Sequence, residues 1–237
     1  MNPLSAKKQD TLQVRANPAF FFKRQFQHLL LVLVLVPGAW VLAIPNLDGG
    51  AFLGISDRTW LILCLATAVV HQVIGWLVFR GQLCFAIFTR WFGEKDLTVW
   101  GIIFLPFLAA RPLALIGLAV ADGGSLGWPR WLGMGLGLLL LMPTLYTGWS
   151  IRKYFGLDRA LGADHFRERY RHMGLVTQGI FAWSDNAMYM FAFFGLWAIA
   201  LMANSRAALA IALFQHAYIW VHMFCTEEPD IQVLYQK

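Results

Sequence analysis

The chain has 237 residues, 59% of them apolar and only 14% charged, where a soluble domain would carry about a quarter charged residues. That balance excludes an ordinary soluble enzyme and points to an integral membrane protein, long enough for one compact domain. A formal charge of +6 would suit a nucleic-acid binder, but its distribution along the chain excludes that reading.

Residues 1–25 form a basic polar arm. The first apolar run starts only near Leu29 and no small-residue cleavage pattern follows it, so the arm is not expected to be a cleavable signal. Runs of about 20 apolar residues cross a bilayer as helices. Six are predicted, at 26–45, 59–79, 98–121, 128–151, 186–203 and 206–224. Pro37-Gly38 should kink the first. Residues 81–92, apolar on one face with Arg90 on the other, read as an interfacial helix. In the fourth span Gly133 and Gly137 are four apart, a close-packing pattern, with access for a ligand as the alternative. Residues 152–183 are too long for a simple connector. Their aromatics (Tyr154, Phe155, Phe166, Tyr170, Phe181, Trp183) predict an ordered cytosolic lid. The short connection at Asn204-Ser205 makes the last two spans an antiparallel hairpin. Cys64, Cys84 and Cys225 show no paired spacing and read as buried hydrophobes rather than as metal or disulfide ligands. The fold expected is therefore an all-α integral membrane protein, with 26–237 as a single membrane-embedded domain.

Charge sets the expected orientation. With both termini inside, the inner segments hold 15 of the 19 Lys and Arg, while the outer loops hold Arg58, Arg130 and Arg206. By the positive-inside rule both termini are cytoplasmic. The positive charge thus faces anionic lipid and is not a nucleic-acid stripe.

The candidate chemistry lies at the inner ends of the last two spans. Ser184, Asp185 and Asn186 precede an apolar helix, where one such residue would cap free N–H groups; three exceed what a cap needs. Tyr189 follows Asp185 at i+4, so a helix would bring both to one face. Glu227 and Glu228 follow the last span directly and oppose its dipole. They are either a solvated tail or carboxylates placed to neutralise a ligand cation and accept a proton, with Pro229 ending the helix. Gly148, at the inner end of its span, could admit a ligand where a side chain would not. Arg111, costly in lipid, lies at the depth of His71 and His216 and suggests a buried polar cluster or a substrate contact. His222, five residues before Glu227, reads as a supporting group for it.

Several of these residues resemble the phosphatidylethanolamine N-methyltransferases. That family opens a helix with Asp-Asn-Pro-Met-Tyr, matched here by Asp185-Asn186-Ala187-Met188-Tyr189. It has Glu-Glu-Pro after a hairpin, matched by Glu227-Glu228-Pro229, and then a Tyr near a basic end, matched by Tyr235-Gln236-Lys237. Thr147-Gly148-Trp149 and Lys153-Tyr154-Phe155-Gly156 resemble its stretch into the cytosolic loop. A more distant similarity is to isoprenylcysteine carboxyl methyltransferases. Alanine replaces the family's proline at 187; proline there only preorganises the first helical turn, so the helix start should survive.

The resemblance implies an S-adenosylmethionine-dependent methyltransferase of a membrane lipid amine, with phosphatidylethanolamine or its mono- and dimethyl forms as substrate. It implies a donor site of Gly148, Trp183, Asp185, Asn186, Tyr189, Glu227 and Glu228 in the loop and C-terminal hairpin. Catalytic roles fall to Glu227, Glu228 and Asp185, the lipid phosphate to Arg152 and Lys153, and no metal is called for. The alternatives are methylation of an isoprenylcysteine-like carboxylate, an NADPH-dependent reductase of the sterol-reductase kind, and a haem- or quinone-linked subunit without catalysis. No basic residue near Asp185 suits a 2′-phosphate. His216 and His222, six apart, do not share a helix face as a haem pair would need.

Overall fold

A computed structural model describes residues 14–235, so most of the basic arm and the terminal Gln236-Lys237 lie outside the described residues. A short 3₁₀ turn at Pro18–Phe22 leads into α1 (Gln25–Ala43), which carries Pro37 in its interior. A two-stranded hairpin, β1 (Ala51–Phe52) and β2 (Ile55–Ser56), precedes α2 (Asp57–Phe85). The Ser56 hydroxyl accepts from Thr59 N–H at 3.2 Å and starts α2 as an N-cap. Then follow α3 (Ile87–Phe92), α4 (Asp96–Ala121), α5 (Arg130–Ser150), the short α6 (Leu157–Ala160) and α7 (Glu168–Arg171), α8 (Phe194–Met202), α9 (Arg206–His222) and α10 (Glu228–Leu234).

Among the described residues five helical segments are long and apolar enough to cross a membrane: Pro18–Asn46, Asp57–Phe85, Ile87–Ala121, Arg130–Phe155 and Arg206–Leu234. The all-helical membrane fold stands. Of the six predicted spans, 186–203 falls short: its apolar helix is only Met188–Met202, because the chain before it stays in turns through the polar residues 184–186. Residues 81–92 do not form one interfacial helix. Gly81–Phe85 complete α2 with Gly81, Gln82, Leu83 and Cys84 buried, and Ala86, at φ 51°, breaks the path before α3. Nor does Pro229 end the last helix. It sits in the first turn of α10, and α9 passes into α10 through a widened turn.

Small residues let the helices close up, as membrane interfaces require where water supplies no driving force. The main core joins Leu61, Cys64 and Ala68 of α2, Ala114 and Leu118 of α4, Ala200 of α8, and Ala207, Ala208, Ile211 and Ala212 of α9. A side chain at Gly133 would come within 2.5 Å of the Leu201 carbonyl, and one at Gly137 would strike Met202, whereas Gly135 faces open space. Gly133 and Gly137 are therefore packing residues between α5 and α8. Leucines and other apolar side chains exposed on α1, α4 and α5, among them Leu33, Val41, Ile102, Leu139 and Leu145, present the surface a bilayer would cover. At one end of the bundle Asp122 accepts from Ser125 Oγ (2.7 Å), Ser205 Oγ (2.5 Å) and Ala207 N (3.0 Å), fixing the α8–α9 turn to the end of α4. The described N-terminal residues, the end of α2, the 152–183 loop and α10 meet at the opposite end.

Candidate active site

At that second end three helical segments change pitch. α5 runs into a π turn at Ile151–Phe155, another π turn, Met188–Ala192, precedes α8, and α9 runs into a third at Met223–Glu227. A π turn bonds each residue to the fifth along, widens the helix and is frequent at functional sites. Side chains take up the carbonyls so loosened. Thr144 donates to Phe191 O at 3.0 Å, Arg24 to Phe224 O at 2.8 Å, and Arg80 to Thr226 O at 3.2 Å. Ile180 and Phe181 of the loop pack with Ile151, Phe155, Met188 and Phe191, so two of these turns share one apolar cluster with the loop. Gly179 makes that seat possible: at φ +63° its bare α-carbon lies where a side chain would come within 2.6 Å of Ser150 Oγ.

The third turn joins the second through Tyr189, whose hydroxyl donates to Glu227 Oε2. His222 Nε2 lies 3.4 Å from Glu227 Oε1. The Glu227 side chain is 25% exposed, so this carboxylate is oriented on two sides and still reachable. Glu228 points elsewhere, as consecutive helical residues must, and pairs with Arg24 at 2.5 Å. Asp185 is exposed and has no hydrogen-bond partner among the described residues. It stands in a turn ahead of the helix, so the expected i+4 helical face with Tyr189 does not form. Asn186 N–H donates to Ser184 Oγ at 3.1 Å, which uses one of the three polar residues locally. Trp183 is 78% exposed, and no atom lies within 4 Å of a side chain at Gly148. Arg152 and Lys153 are exposed, with the Lys153 ammonium 4.7 Å from the Trp149 ring centre and 5.2 Å from that of Tyr154. Tyr189 and Glu227 are thus brought together, while Gly148, Arg152, Lys153, Trp183 and Asp185 are exposed and make no contact with either among the described residues.

A second polar network secures this end. Asp230, fully buried, pairs with Arg80 Nε at 2.5 Å and with His165 Nε2 at 3.2 Å. His165 also meets Asp164 at 3.1 Å and stacks on Phe79 at 4.2 Å, and the Tyr235 hydroxyl donates to Asp164 at 3.0 Å. Burial alone would lower the His165 pKa, but the charge and hydrogen bond of Asp164, then those of Asp230, outweigh it and raise it to about 9. The ring is an imidazolium at neutral pH and donates from both nitrogens. Burial would likewise raise Asp164, yet His165, Tyr235 and Arg171 hold it below the usual carboxylate range. Sequence reasoning missed Arg80, His165 and Asp230 as members of this site. Arg80 follows an apolar run and reads as a topogenic charge, and His165 carries no spacing that ties it to Asp230, 65 residues on.

The architecture defines a class: an all-helical membrane protein that orients a reachable carboxylate at one end of its bundle. The family model described as phospholipid methyltransferase matches residues 132–237, a segment holding nearly all of α5, the loop, Tyr189, Glu227 and Asp230, and the resemblance read from the motifs is shown over that segment. No curated protein and no solved structure matches the chain.

Proposed function

We propose that the protein transfers a methyl group from S-adenosylmethionine to the amine of a membrane lipid, with phosphatidylethanolamine or its mono- and dimethyl forms as substrate. The observation that carries this reading is the Tyr189–Glu227–His222 arrangement within the matched segment. The residues suit the donor: a reachable carboxylate and the Tyr189 ring answer a cation, exposed Trp183 offers an aromatic face, and the surface at Gly148 is open. Asp185 and Asn186 supply further polar groups for its adenosyl and amino-acid ends. When bound, S-adenosylmethionine supplies an electrophilic methyl group on a sulfonium.

The chain's own part is charge and proton handling. A lipid ammonium resembles lysine, with a pKa of about 10, and its nitrogen has no lone pair until the proton leaves. Glu227, held by Tyr189 and His222, accepts that proton. The freed lone pair then forms the new N–C bond as the S–C bond breaks and the neutral thioether departs. Arg152 and Lys153 hold the lipid phosphate at headgroup level. The His165–Asp230–Arg80 network fixes the turn that presents Glu227, so those three are positioning residues.

Equilibrium binding tests the charge assignment. Wild-type protein should prefer S-adenosylmethionine to S-adenosylhomocysteine, whose sulfur carries no charge, and Glu227→Gln should reduce that preference about tenfold, the effect of about 1.4 kcal/mol. An unchanged ratio, or no binding of either compound by wild-type protein, would overturn the reading.

A further inference from the structure

Arg111 lies on α4 near the middle of the bundle and is 2% exposed, away from the proposed methyl-transfer site. Its Nε donates to Gln215 Oε1 at 2.9 Å, one terminal nitrogen lies 3.4 Å from His71 Nδ1, the other lies 3.5 Å from the Gln215 carbonyl, and the guanidinium sits 5.0 Å from the Phe193 ring centre. His216 does not join this group; it accepts from Trp197 Nε1 at 3.1 Å and stacks on Phe193. Among the described residues no carboxylate pairs with Arg111. The acids on the same helices as these residues, Asp57 on α2, Asp96 on α4, Asp122 at the end of α4 and Glu227 after α9, are all more than ten residues away along the chain, about 15 Å or more at 1.5 Å per residue.

The bonds that do form leave donors over. A guanidinium only donates, so His71 Nδ1 accepts and the neutral ring carries its proton on Nε2. Gln215 spends its side-chain oxygen on Arg111, which leaves its amide nitrogen. His71 Nε2 and Gln215 Nε2 are both buried without an acceptor among the described residues, and the two side chains belong to residues 6% and 0% exposed. A water molecule does not resolve this, because it must also donate its own two hydrogens, and the positive charge would remain. An acceptor-only monoanion beside the guanidinium answers the charge and the Gln215 amide, while His71 Nε2 faces away from Arg111 and takes no part.

We infer that Arg111 and Gln215, with His71 Nδ1 orienting the guanidinium, form a binding site for a small monovalent anion of halide size, chloride in the cell, which serves as the counter-ion of Arg111 inside the bundle. This is separate from methyl transfer and does not depend on it. The anion is a structural ligand that ties α4 and α9.

Thermal unfolding of the full-length protein in detergent tests the site, with sodium chloride, sodium bromide and sodium gluconate compared at equal ionic strength. Chloride and bromide should raise the midpoint by several degrees over gluconate with a saturable dependence, since a ligand of the native state stabilises by mass action. Arg111→Gln should lose that difference. A bromide-soaked wild-type crystal gives a second reading that needs no variant: an anomalous peak in contact with the Arg111 guanidinium supports the site. Equal midpoints in all three salts, a halide effect that survives in Arg111→Gln, or no peak beside Arg111 would overturn it.

Discussion

Adjacent carboxylates at 227 and 228 meet different partners, and their substitutions should differ accordingly. Glu227→Gln removes a charge oriented by Tyr189 and His222; losing one member of such a part-buried arrangement costs about 2 kcal/mol, the low end for desolvated pairs. Methyl-transfer turnover should therefore fall by about 30-fold. Glu228→Gln loosens only a half-exposed pair with Arg24, of the kind worth about 0–1 kcal/mol, and should cost turnover a few-fold at most; a larger loss than in Glu227→Gln, measured by steady-state kinetics, would refute this division. The sequence shows that two acids follow the span, but not which one turns inward, because a π turn rather than a regular helix sets their direction. His165 makes a pH prediction. Its pKa rises from 6.5 to about 9 on folding, so its contribution is fully present below pH 6.5 and is lost as pH climbs through about 9. The groups facing it are Asp164 and Asp230, with Arg171 on its carbonyl. Thermal midpoints should fall between pH 6.5 and 9.5, and His165→Phe, which keeps a ring against Phe79, should flatten that dependence.

At the level of elements, glycine positions separate packing from access. Gly133→Ala drives a methyl group toward the Leu201 carbonyl, while Gly135→Ala meets open space. The first should destabilise the protein by about 1–3 kcal/mol in denaturant unfolding and the second should be nearly neutral; equal effects would show that α5 does not seat on α8 through Gly133. The four-residue spacing made this helix contact legible in the sequence. The seat of the loop was not, since Gly179 signals nothing until its contacts with Ser150 and Tyr154 are seen. Long apolar runs also told where α1, α2, α4, α5 and α9 lie. Hydropathy failed at the two places where polar or backbone geometry interrupts an apolar run: the turns at 184–186, which shorten the α8 segment, and Ala86, which divides 81–92.

Over the whole molecule the basic segments converge. Arg15 pairs with Glu168, Arg24 with Glu228 and Arg80 with Asp230, so the described N-terminal residues, the loop and α10 share one end of the bundle. We propose, from the charge bias, that this end is cytoplasmic. The soluble donor then enters from the cytoplasm past residues 152–183, and the lipid enters sideways, because drawing acyl chains into water costs about 0.8 kcal/mol per CH₂. In sided proteoliposomes, lipid in the leaflet beside Arg152 and Lys153 should be methylated and lipid confined to the other leaflet should not. The central claim, methyl transfer to a lipid amine, is tested most directly by incubating the purified protein in vesicles with S-adenosylmethionine labelled on its methyl group. Label should accumulate as N-methylated headgroups in phosphatidylethanolamine vesicles and be absent from phosphatidylglycerol vesicles, which offer no amine. Label recovered as a carboxyl ester, or no labelled lipid from phosphatidylethanolamine vesicles, would contradict the claim.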